Sequence, residues 1–231
     1  MVPLLILVSY LYATPAWALN SECYGTTSNG YLKNGVALPA EGDNFVSYSY
    51  LAQKLGRTYV HSTVRDILLD AYKTLQQQQP GKKYKYAETG FQEGGEFKPH
   101  KTHRNGLSVD FMVPVINSKG ESVYFSTNPL NKWGYSVEFD KNGRYEDYSI
   151  DYEAMAAHIV ELHKQAKQQG VDIWRVIFDP QLQPRLFANR YGDYLKQHIQ
   201  FSSKRSWVRH DEHYHVDFSV PCKPLQQASR S

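Results

Sequence analysis

The chain has 231 residues, a formal net charge of +3 and 41% hydrophobic residues. So small a positive balance excludes a nucleic-acid binder held by bulk charge, and the length suits one substantial core without a second domain. Its 18 tyrosines suit a sugar-facing surface and an ordinary core equally, so they decide nothing.

Residues 3–13 form an apolar run, and Ala16-Trp17-Ala18 follows as an A-x-A-like cleavage site, so 1–18 reads as a secretory signal peptide and 19–231 as the mature domain. The run departs from the usual pattern, because residues 1–13 contain no Lys or Arg and Pro3 interrupts it. It is too short to span a bilayer, and no later segment is apolar enough to do so. In an exported chain the pair Cys23 and Cys222 is expected to form a disulfide, closing a very long loop and so restricting the unfolded state.

Residues 19–60 read as loop with brief strands. Helical spacing of Val64, Ile67, Leu68, Ala71, Tyr72 and Leu75 predicts a helix over 62–79, capped by Ser62 or Thr63 and ended by Pro80-Gly81. A glycine-bearing connection at 84–98 leads into His100 and His103, and a strand follows over 107–115. Residues 121–150 read as a hairpin turning at 140–143. A second helix is predicted over 151–169 with Gly170 just past its end, then a strand over 171–178, a short helical piece at 181–195 and a strand over 213–218. Without βαβ repetition, internal repeats or a linker, the expected fold is α+β, a single domain with a mainly antiparallel sheet and flanking helices.

Four of the nine histidines fall in 100–103 and 213–215, and His210 is a fifth close by. A lone histidine is more often a satisfied core residue than a ligand, but here alternation and residue type agree. In a strand over 213–218, His213, His215 and Asp217 point one way and Tyr214, Val216 and Phe218 the other. Asp110 likewise lies opposite the apolar set Leu107, Val109, Phe111 and Val113. With His103, Asp110 and His215 as ligands, a zinc ion keeps one position open for water, the arrangement of a catalytic site. His213 shares the face of His215 and is the candidate general base or charge stabiliser. Glu212 is the rival base, on the opposite face by strand parity. Lys101, Arg104, Lys204, Arg205 and Arg209 flank these segments, either as contacts for substrate carboxylates or as a solvated rim.

The pattern His103-x6-Asp110 followed by His213-x-His215 is similar to the zinc pattern of the lysostaphin and D-Ala-D-Ala carboxypeptidase type of metallopeptidase. With Ser28–Gly30, Gly94–Phe97, His100–Asp110, Arg175–Pro180 and Trp207–Val216, the chain more closely resembles the penicillin-insensitive murein endopeptidases. The resemblance implies a hedgehog/D-Ala-D-Ala peptidase-like fold with a zinc cleft, with zinc on His103, Asp110 and His215. It also implies His213 and His210 lining the cleft, His100 as a further site residue, and hydrolysis of D-alanyl–meso-diaminopimelyl cross-links in the periplasm. The chain departs from the family in carrying only two cysteines, in stopping soon after Cys222, and in its 121–150 segment. Glu212-x-x-His215 also resembles a D-Ala-D-Ala dipeptidase motif, so a D-Ala-D-Ala carboxypeptidase or dipeptidase is the alternative activity. A non-catalytic zinc-bearing cell-wall-binding module is the alternative of another class.

Overall fold

The computed structural model describes residues 20–206 and 208–225. The expected signal peptide and Trp207 lie outside them. In chain order the strands and helices are β1 Glu22–Thr26, β2 Asn29–Lys33, β3 Val36–Ala37, β4 Phe45–Ser47, α1 Tyr50–Lys54, β5 Tyr59–Val60 and α2 Ser62–Gln78. Next come β6 Tyr84–Tyr86, β7 Ser108–Met112, β8 Val115–Ile116, β9 Ser122–Val123, a 3-10 segment Pro129–Gly134, β10 Arg144–Tyr145 and β11 Tyr148–Ile150. The rest are α3 Tyr152–Gln168, β12 Asp172–Ile177, α4 Gln183–Leu186, α5 Gly192–His198 and β13 His213–Ser219.

The fold is a single α+β domain around a five-stranded sheet of order β12-β13-β7-β6-β4. It is antiparallel except at one edge, where β4 and β6 pair in parallel. The helices α2 and α3 cover one face: Tyr72 of α2 stacks on His158 of α3, which packs against Tyr84, Phe111 and Tyr214 of the sheet. Along β7 and β13 the register pairs Tyr214 with Phe111 and His215 with Asp110. The first pair stacks toward the helices at 5.3 Å. The next pair, one residue on, must point to the other face, because strand side chains alternate.

Several predicted boundaries move for identifiable reasons. The cap of α2 is His61, whose Nδ1 accepts from the Thr63 amide at 3.1 Å. Ser62 is unavailable because its hydroxyl accepts from the Ser21 amide. The 107–115 strand breaks at Val113-Pro114, where proline removes a ladder donor, and resumes as β8. Residues 121–150 are not one hairpin. The Asp140–Gly143 stretch is a turn in which Asp140 Oδ1 accepts from the Asn142 and Arg144 amides, and the hairpin proper joins β10 to β11 after it. The 181–195 piece is two helices, α4 and α5. The short α1 was not anticipated; Ser49 caps it by accepting from the Ala52 amide at 3.1 Å.

The expected Cys23–Cys222 disulfide is present. It fastens β1 to the segment after β13, beside the backbone bonds Gly25 to Lys223 and Lys223 to Cys23. Among the described residues, no helix is long and apolar enough to cross a membrane.

Candidate metal centre and cleft

The sheet face away from α2 and α3 opens into a cavity of about 620 Å³ lined by His100, Asp110, Tyr135, Arg175, His210, His213 and His215 among others. The neighbouring strands β7, β13 and β12 supply its floor, and loops, α1 and the 3-10 segment supply the rest. His103 sits in the left-handed region, φ 66°, a conformation that costs a non-glycine residue on the order of 1 kcal/mol and persists only where neighbours fix it. Here Arg104 N donates to Thr27 O and Gly95 N to Arg104 O. The glycine at 94 (φ +66°) is required, because a Cβ there would lie 2.2 Å from Arg104 O.

Two imidazoles converge on one carboxylate oxygen. Asp110 Oδ1 lies 2.8 Å from His215 Nδ1 and 3.3 Å from His103 Nε2. The tautomers follow from the far sides of the rings. His103 Nδ1 faces the Thr89 carbonyl at 3.0 Å, which can only accept, so Nδ1 carries the proton and Nε2 of the neutral ring is a lone pair. That Nε2 is buried without a hydrogen-bond partner. His215 Nε2 faces Asp217 Oδ1 at 2.8 Å. Asp217 is held as a carboxylate by Ser108 Oγ and Arg175 Nε, at 2.5 and 2.6 Å. Nε2 therefore carries the proton and Nδ1 of the neutral ring is again a lone pair. Two lone pairs and a carboxylate oxygen pointing at one place repel each other unless a cation sits between them.

Protonation is the only remedy the metal-free protein has. Burial opposes charge on His215, but Asp217 and Asp110 outweigh it and raise its pKa to about 10. At His103 burial dominates and the pKa falls. Burial likewise opposes the Asp110 charge, yet His103, His213 and His215 hold that carboxyl well below its usual range.

His100, His103 and Asp110 also form a group whose ligand atoms lie within 4.8 Å of one another, able to hold a metal ion. His100 approaches the other oxygen, with Nδ1 3.8 Å from Asp110 Oδ2, while its Nε2 is 2.5 Å from Glu88 Oε2. Glu88 is in turn held by Arg57 Nε at 2.5 Å and Tyr48 OH at 2.8 Å. Tyr135 OH donates to Asp110 Oδ2 at 3.0 Å and its ring meets His213 edge-on at 5.0 Å.

The sequence candidates for proton transfer sit next to this centre. His213 Nδ1 is 2.9 Å from Glu212 Oε1, while Nε2 is turned toward Asp110 Oδ2 at 3.9 Å. Burial pushes His213 down to about 4 and Glu212 up to about 8. Glu212 is buried behind His213 and does not line the cavity. His210 is half-buried with its ring 4.5 Å from that of His213, and burial lowers its pKa to about 3.

All seven sequence candidates thus gather in one place, but the expected basic rim is mostly elsewhere. Arg205 pairs with Asp179, and Arg209 with Glu138 and Asp211. Of the five flanking residues only Lys101 lines the cavity; Lys98, Lys132 and Arg175 are its other cationic neighbours outside the Glu88 pair. Sequence reasoning missed Arg57, Glu88 and Tyr135, which reach the cleft from loops and carry no local pattern. Asp217 was marked by strand parity, without a role.

The family model described as penicillin-insensitive murein endopeptidase matches residues 23–229, and the chain belongs to that family. No curated protein matches it.

Proposed function

Starting from membership of a murein endopeptidase family, which makes the chain a hydrolase acting on peptidoglycan, we propose that it is a zinc enzyme cleaving D-alanyl–meso-diaminopimelyl cross-links. It would act in the periplasm as residues 19–231, after loss of residues 1–18. The convergence of His103 Nε2, Asp110 Oδ1 and His215 Nδ1, with the first a buried lone pair lacking any partner, carries the reading. Two imidazoles and one carboxylate suit zinc with an open position. His100 lies on the other oxygen of Asp110 and is already engaged by Glu88, so it stands beside the ligand set.

When bound, zinc supplies Lewis acidity to the scissile carbonyl and to the attacking water. The chain's own residues do the rest. Asp217 fixes the His215 tautomer through Nε2, and Arg175 and Ser108 fix Asp217. Glu212 fixes His213 through Nδ1, which leaves Nε2 as the atom that handles protons in the cleft. As the water oxygen bonds to the D-alanyl carbonyl carbon and the carbon–nitrogen bond breaks, a proton from the water must reach the departing amine. His213 is placed to carry it, with half-buried His210 alongside. The burial of Glu212 behind His213 favours a supporting role over that of a base, and so disfavours the dipeptidase-like alternative.

Purified protein should contain about one zinc per chain and convert cross-linked muropeptides to monomers with a new D-alanyl carboxyl end, read by mass spectrometry. Release of only a terminal D-alanine would favour the carboxypeptidase reading. Retained zinc without any cleavage would favour a binding module.

A further inference from the structure

We propose that Arg175 forms the subsite that reads a carboxylate on the residue leaving from the scissile bond; this rests on the cross-link substrate inferred above. Diaminopimelate bears an amine and a carboxylate on the same carbon at each end. Whichever amine is acylated, a carboxylate therefore stands two bonds from the scissile nitrogen. A cation placed one side chain away from the metal ligands is where such a group would land.

Arg175 occupies that position. It lies on β12 opposite Asp217 of β13, one alternation from the pair Ile177 and His215. Its Nε donates to Asp217 Oδ2 at 2.6 Å, and Asp217 Oδ1 meets His215 Nε2 at 2.8 Å. A guanidinium presents two edges for bidentate contact. Asp217 engages the Nε side, while the terminal Nη groups make no hydrogen bond to the described residues and the side chain, 30% exposed, lines the cavity. Trp174 holds the guanidinium 4.4 Å from its ring, limiting its rotamers.

The alternatives on the cleft wall are weaker. The cavity-lining acids Glu88 and Asp110 are consumed by their own partners, so the wall is cationic toward a substrate. Lys98 is 80% exposed and pairs with Glu96 at 3.4 Å, and Lys132 is exposed; water screens both. Arg175 is ordered on both flanks and half-buried, which makes a bidentate carboxylate contact selective.

The test compares two cross-linked peptides that differ only in that carboxylate, free or amidated. The wild-type protein should favour the free acid in kcat/KM by about 10- to 100-fold. Arg175→Gln also frees Asp217 and should slow both peptides, but the free acid by a further ~10-fold or more, so that most of the preference is lost, and Arg175→Lys should keep part of it. Metal content is measured on each preparation. Equal loss on both peptides, with or without loss of metal, would show that Arg175 acts only through Asp217 and overturn the proposal. A wild type that cuts both peptides equally overturns it without any variant, so misfolding of Arg175→Gln does not shield it. A wild type that cuts neither peptide instead sinks the cross-link reading beneath it.

Discussion

His158 of α3 and His215 of β13 are both buried, the first packed against one face of the sheet and the second pointing from the other, yet they have opposite chemistry. His158 is stacked against Tyr72 and Tyr84 at 5.1 Å each and bonds through Nδ1 to Tyr214 OH at 2.5 Å. No charge faces it, so burial alone acts and lowers its pKa to about 3. His215 is flanked by Asp217 and Asp110 and is driven to about 10. Burial is common to both and therefore diagnoses nothing. What separates His215 from a core histidine is a carboxylate beyond each ring nitrogen, a third donor converging on the same point and a cavity that lets a substrate in. Even the orphaned nitrogens differ in meaning. His158 Nε2 and His103 Nε2 both lack a partner, but only the latter faces a carboxylate across 3.3 Å.

The contrast breaks most completely at the ligands. His215→Ala should lose stoichiometric metal and bring cross-link cleavage below detection, and His103→Ala should do the same. Tightly held metal in either variant, measured by atomic absorption, would remove that residue from the ligand set.

His213→Ala tests the next layer. It should keep the metal while turnover drops by roughly 10²- to 10⁴-fold, the usual worth of a positioned acid–base group. Loss of metal would make His213 a ligand; full activity would pass the role to another group.

Asp217→Asn keeps the shape but removes the charge that fixes the His215 tautomer. Metal affinity should weaken by about 10- to 100-fold, the scale seen for partners that orient a ligating histidine. An unchanged affinity in a competition titration with a chelator would show that His215 needs no such support.

The opposite face should respond in stability only. His158→Phe strands the Tyr214 hydroxyl and should cost about 1–3 kcal/mol in urea unfolding, with metal content and turnover per folded molecule unchanged. Its pH signature has a defined sign. His158 has a folded pKa of about 3, below an unfolded value of about 6.5, so between these values the unfolded chain binds more protons. The wild type should therefore lose stability on acidification from pH 6.5 toward 4 by about 1 kcal/mol per pH unit more than His158→Phe does. Parallel pH dependence in the two proteins would contradict a neutral core histidine, and a drop in metal content would couple the two faces.

Much of this contrast was readable before folding. Strand parity alone put His213, His215 and Asp217 on one side and Tyr214, Val216 and Phe218 on the other, and the same rule set Asp110 apart from Val109 and Phe111. The long helices were legible from their apolar spacing, within a residue or two of their observed ends. The 121–150 segment was not, because its turn at 140–143 is held by Asp140 through both side chain and backbone, and the strand ladder forms only after it, between β10 and β11. Tyr135 follows a 3-10 segment in that same stretch. It is brought to Asp110 in part because Lys85 Nζ, at 2.6 and 2.8 Å from Phe125 O and Thr127 Oγ1, ties the loop to the sheet.

By itself the sequence determined the candidate site residues and which face of a strand each occupies, because residue type and the two-residue strand repeat are local properties. It also determined the covalent tie between Cys23 and Cys222. Only the tertiary structure decided how those residues meet. The register that sets His215 opposite Asp110, the neighbour that puts Arg175 behind Asp217, and the loops that bring Glu88 and Tyr135 to the cleft all join positions far apart in the chain. Such pairings arise when separate segments bury a shared core and satisfy their backbone bonds together, and no pattern within one segment encodes them.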